Sequence, residues 1–255
     1  MDPKFEPVMP GRQTPLTPIP AGRSGVGGGT GERGGEITLP ISQNTVLRNT
    51  YWLLALSMLP TIAGAFVGMQ LNFFSLFQSA PIMTPLLMFA AMLGSLFVVT
   101  LLRNSGWGVV ALFGFTFIAG VFLTPILTVA AGFRNGGQLV GLAGGMTAAI
   151  FFAMAAIATV TKRDFSFMGK FLFIGLILVI VASLANLFFQ IPALSLTISA
   201  VAVLIFSAYI LYDVSNIVRG GETNYIMATL GLFLNLYNIF ISLLNILLAF
   251  TGNRE

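Results

Sequence analysis

Seven apolar runs of roughly 19 to 28 residues dominate this chain, at about 51–71, 82–102, 107–130, 139–161, 170–190, 192–218 and 225–250. Each is long enough to cross a ~30 Å hydrocarbon layer as a helix rising ~1.5 Å per residue. Lipid offers the backbone no hydrogen bonds, so open strands would leave amides unpaired and these segments must be helices. Charge agrees with that reading. Only 8% of the 255 residues are charged, against about 25% in a soluble domain. Nine of the charges lie in residues 1–50, two in 251–255, and nine in the 200 residues between. The expected fold is therefore an all-α integral membrane protein, a seven-transmembrane-helix bundle whose first partner is the lipid bilayer.

Three segments follow from composition. Residues 1–46 read as a disordered, Gly/Pro-rich tail, because Pro, Gly and charge replace apolar periodicity. Residues 47–251 form the seven-helix membrane domain, and 252–255 a short C-terminal tail. Within the first segment Gly29, Gly31 and Gly34 spell GxGxxG, but no strand precedes them and no helix follows, so a dinucleotide site is not expected. The first apolar run begins only near Tyr51, which argues against a secretory signal. The joints between runs carry turn residues such as Asn104-Ser-Gly106, Asn135-Gly-Gly137 and Gly220-Gly221.

Basic residues set the orientation. With a cytoplasmic N-terminus, Lys4, Arg12, Arg23, Arg33, Arg48, Arg103, Lys162, Arg163, Lys170 and Arg219 fall inside, and Arg134 and Arg254 outside. That is a clear positive-inside bias. Seven spans then place the C-terminus outside. The net charge of +4 is accounted for by topology and calls for no nucleic acid.

With no Cys and no His, thiolate nucleophiles, disulfides, zinc sites, His-ligated haem and Ser/His proteolysis are all absent. A retinal Schiff base needs a lysine inside a span, and Lys4, Lys162 and Lys170 lie in the tail or at the inner boundary. An intramembrane aspartyl protease needs two buried aspartates, and one acid, Asp213, sits well inside an apolar run. The chain reads as a non-enzyme with no cofactor.

Asp213 lies six residues before Arg219, ~9 Å deep along a helix. An ionised carboxylate at the centre of a span costs about 2.5–3.5 kcal/mol on insertion scales, so something must solvate it. Either it is an ion or proton site, or it is a helix-end aspartate bonded to neighbours such as Ser215 or Asn216. In the last span Asn235, Asn238, Ser242 and Asn245 recur at spacings of 3, 4 and 3, which aligns them on one face. This stripe lines a site or binds helices together. By depth Asn235 and Asn238 are the members nearest Asp213, and all three are candidates for an ion or proton gate. Arg219 and Glu222 are candidate charges at its inner mouth. A second row, Ser183, Asn186 and Gln190, faces the outer end of the fifth span and either lines a vestibule or binds neighbouring helices. Small residues spaced GxxxG (Gly64 and Gly68; Ala90 and Gly94; Gly137, Gly141 and Gly145) are expected at close helix contacts.

Several segments occur together and in order: Leu47-Arg-Asn-Thr-Tyr51, Gly114-Phe-Thr116, Thr124-Pro-Ile-Leu127, Thr147-Ala148 with Phe151-Phe152, and Lys162-Arg-Asp-Phe-Ser-Phe-Met-Gly169. Ile210-Leu-Tyr-Asp-Val-Ser-Asn216, Gly220-Gly-Glu-Thr-Asn-Tyr225 and Leu236-Tyr-Asn-Ile-Phe240 complete the series. Over residues 46–250 the chain thereby resembles the transmembrane Bax inhibitor motif family, most closely its bacterial YccA-like branch. The resemblance implies a bacterial inner-membrane, multi-pass protein with a central last helix surrounded by the other six. It also implies modulation of a membrane AAA protease of the FtsH type or a part in membrane homeostasis, with a pH-sensitive calcium leak as the alternative. Leak members use an aspartate pair on the last two helices. Asp213 matches the first position, and Asn235 occupies the second. Two carboxylates can share a proton and an Asp/Asn pair cannot, so the resemblance favours the protease modulator, with the tail 1–46 either the segment a protease engages or a passive Gly-rich spacer. The leak, for calcium or protons and gated by Asp213, is the alternative. One carboxylate with amide carbonyls is a sparse oxygen set for calcium, so any binding is expected to be weak.

Overall fold

The computed structural model describes residues 41–161 and 163–252, and every regular element among them is helical. The helices are α1 (Ile41–Gln70), α2 (Phe74–Ser79), α3 (Met83–Leu102), α4 (Trp107–Phe122), α5 (Thr124–Ala131), α6 (Gly136–Val160), α7 (Met168–Phe189), α8 (Pro192–Val218) and α9 (Tyr225–Gly252). Seven spans are long and apolar enough to cross a membrane: α1 from Thr45, α3, α4 with α5, α6, α7, α8 and α9. Most of the expected N-terminal tail, and residues 253–255, lie outside the described residues. The last part of that tail is corrected: α1 already begins at Ile41, and Val46 and Leu47 pack on the core. At the other end Gly252 belongs to α9.

The last helix is central. Leu232, Phe233, Ile239 and Leu244 of α9 are almost fully buried, and α9 packs on α1, α6 and α8 and, more lightly, on α4 and α5. The enclosure is chiefly by these four spans. The other two sit outside them, with α3 leaning on α4 and α7 on α8. Their outer faces carry exposed Leu87, Phe97, Phe171 and Phe173, which in water would be a liability and in lipid is the expected surface.

One of the three small-residue motifs makes a close helix contact. A Cβ on Gly64 would meet the carbonyl oxygen of Phe117, and one on Gly120 would meet that of Thr61, so α1 and α4 touch backbone to backbone. Gly94, Gly137, Gly141 and Gly145 have open space where a side chain would stand and are exposed. Spacing alone therefore did not identify a contact, because it says nothing about what the facing helix offers.

The third span breaks at Leu123, between α4 and α5. Pro125 has no N–H for the carbonyl of Val121 four residues earlier. The Thr124 hydroxyl donates to that carbonyl instead, at 2.6 Å, so the break leaves no orphan acceptor in lipid.

Candidate functional site

The α8–α9 hairpin builds the site. α8 ends in a Schellman motif: the Gly220 N–H donates to the Ile217 carbonyl at 3.1 Å and the Gly221 N–H to the Asn216 carbonyl at 2.9 Å. The motif needs a left-handed residue after the cap, and Gly220 supplies it with φ 78°. α9 then starts at Asn224, whose Oδ1 accepts the N–H groups of Ile226 (3.0 Å) and Met227 (3.1 Å). Its Nδ2 donates to the Arg103 carbonyl and to Asn104 Oδ1, both at 3.0 Å, tying the turn to the α3–α4 loop.

Above that turn the partly buried Asp213 points at α9. Its Oδ2 accepts a 2.7 Å hydrogen bond from Asn235 Nδ2. One helical turn earlier on α9, Gly231 leaves room for the same oxygen: a Cβ there would stand 3.3 Å from it. Gly231 was missed in the sequence, although it continues the asparagine stripe backwards by four residues. The bond that solvates Asp213 thus crosses between helices, and does not run to Ser215 or Asn216.

The other candidates are placed differently. Asn238 donates to the Leu234 carbonyl of its own helix at 2.7 Å and is not joined to Asp213. Asn245 binds helices together, donating to Ser195 (3.1 Å) and Ser199 (2.8 Å) on α8. Ser242 is buried. The stripe is therefore divided: Asn235 serves the acid and Asn245 staples the far end of the same interface. Arg219 pairs with Asp164 at 3.3 Å, both ends partly exposed. Glu222 Oε1 accepts the Asn224 N–H at 2.7 Å and so supports the turn. Both inner-mouth candidates are engaged in loop structure. Asp164 was not singled out in the sequence. Hydrogen bonds from Ser166 hold its carboxyl below the usual range, with a smaller contribution from Arg219. In the outer row, Asn186 Oδ1 caps the α7–α8 turn by accepting the Ile191 N–H at 3.0 Å, and Ser183, Asn186 and Gln190 border a shallow depression of about 410 Å³.

The family model "Inhibitor of apoptosis-promoting Bax1" matches residues 43–252. The chain belongs to the Bax inhibitor family. Among its relatives, a Neisseria meningitidis serogroup A protein of uncharacterized function is 44% identical over 214 residues, 83% of this chain and 94% of that one. A Vibrio cholerae membrane protein is 40% identical over 213 residues, covering 84% and 93%. The Escherichia coli K12 protein described as "Modulator of FtsH protease YccA" is 41% identical over 213 residues, 81% of this chain and 91% of that protein. This Bax inhibitor family member is a multi-pass membrane protein in which Asp213, inside a span, takes a hydrogen bond from the Asn235 amide.

Proposed function

We propose that this chain is a non-catalytic protein of the bacterial inner membrane that modulates an FtsH-type membrane protease. The observation that carries the reading is 41% identity to the E. coli modulator over 91% of that protein's length. The E. coli relative of strain CFT073 is itself described as an inner membrane protein. The site geometry supports it by what it offers chemically. Asp213 receives a hydrogen bond from a neutral amide, which holds a carboxylate in place without giving it a second carboxylate to share a proton with. Among the described residues no three His, Cys, Asp or Glu side chains converge as a metal-binding group. A calcium or proton leak through Asp213 is the less favoured reading. The tail before α1, on the cytoplasmic side by the positive-inside argument, is the segment assigned to the protease.

Co-purification after mild detergent extraction, together with the turnover of a membrane substrate of the protease, tests the proposal. Deleting the gene is expected to speed turnover and overproduction to slow it. Turnover unchanged in both strains removes the modulator reading.

A further inference from the structure

On the side of α9 away from Asp213, α1 and α6 stand apart and leave a cleft of about 680 Å³, within the ~300–1,000 Å³ of small-molecule sites. Tyr51 and Met58 of α1, Gly144 and Phe151 of α6, and Leu236 and Phe240 of α9 line it. Its wall is almost wholly apolar. At one end the Tyr51 ring stands edge-on to Phe151, centroids 5.8 Å apart, its hydroxyl sealed from the cleft and without a hydrogen-bond partner. Phe152 and Ile62 on the rim are 68% and 66% exposed, so the cleft opens sideways to the bilayer.

Position adds a second observation. From Tyr51 to Ile62 the cleft runs ~16 Å along α1, parallel to lipid chains. Exposed Arg48 sits one turn beyond Tyr51 towards the end of the span, and exposed Arg163 follows the end of α6 on the same side. The neighbouring acid Asp164 is paired with Arg219, and among the described residues Arg48 and Arg163 stand beyond the Tyr51 end of the slot. A transmembrane helix ~10–12 Å across would need roughly twice this volume over the same length. A single acyl chain does not.

We infer that the α1–α6 cleft holds one acyl chain of an anionic phospholipid, with its phosphate at the end of the cleft where Arg48 and Arg163 stand. The empty wall gains the apolar contact it lacks. The inference is independent of the protease reading.

The full chain, delipidated in mild detergent, is titrated with dioleoylphosphatidylglycerol, dioleoylphosphatidylcholine or oleate and read by native mass spectrometry. One phosphatidylglycerol per chain is expected to be retained in preference to the other two. Gly144→Phe projects into open space and should fill the cleft, weakening retention about tenfold or more. Ala148→Leu fills the same wall more gently and should weaken it less. Gly141→Phe, outside the cleft, should leave it unchanged. Arg48→Gln should lose about fivefold for phosphatidylglycerol and nothing for phosphatidylcholine. Equal retention by wild type and both filling variants overturns the site, and oleate held as tightly as phosphatidylglycerol overturns the assignment to a phospholipid.

Discussion

The Asn235 amide meets the Asp213 carboxylate across the α8–α9 interface at 2.7 Å, one helical turn beyond Gly231, which has no side chain to obstruct it. The two helices approach closely there because one contributes an acid and the other a donor and a gap. Asn235→Leu is expected to leave the acid without this donor and to cost about 1–3 kcal/mol, read as thermal unfolding in detergent. The double variant Asp213→Leu/Asn235→Leu should recover part of that loss, because neither partner is then left unpaired. Additive losses would mean the two side chains do not stabilise each other.

Glycine substitutions separate real helix contacts from coincidental spacing. Gly64→Leu drives a side chain into the Phe117 carbonyl and should destabilise by about 3 kcal/mol or more. Gly141→Leu enters open space and should stay within about 0.5 kcal/mol of wild type. The two melting curves, measured side by side, check both.

Thr124→Val removes the hydroxyl that satisfies the Val121 carbonyl while keeping the shape. The expected loss is about 1–3 kcal/mol, the cost of a buried unsatisfied acceptor. Thr124→Ser should largely retain the bond, and equal melting temperatures for all three proteins would show that this carbonyl finds another partner.

The Asp164 carboxyl titrates below its usual range because Ser166 donates to it, with Arg219 nearby. A depressed folded value contributes stability that is present at neutral pH and is lost as pH falls through that value. Because the group is exposed, the effect is small and salt-screened. Melting temperature followed from neutral pH to about pH 3 should fall more steeply in wild type than in Asp164→Asn. Parallel curves would assign the acid sensitivity to other groups.

All seven spans were legible in the sequence because a ~30 Å apolar requirement is written directly in run length. The short helix α2 and the division at Leu123 were not, since neither changes hydropathy. α1 starts well before Tyr51 because Arg48 is tolerated on an exposed face while Val46 and Leu47 pack inward. For the site, residue type and depth pointed to Asp213 and Asn235, and the asparagine stripe identified the face. Which amide reaches the acid was hidden, because Asn238 has an acceptor in its own helix one turn back. Gly231 was invisible to a search for functional groups, its contribution being an absence.

The hairpin between α8 and α9 has a mechanical consequence. Its turn is closed by the Schellman bonds and by Asn224 at the start of α9, and the opposite end is pinned by Asn245 on Ser195 and Ser199. Sliding one helix along the other would unmake the Asn235–Asp213 bond and the Asn245 bonds together, so these cross-helix bonds hold the pair in register. Shear between α8 and α9 is thereby resisted at two levels of the interface, the acid near the turn and the serines at the far end.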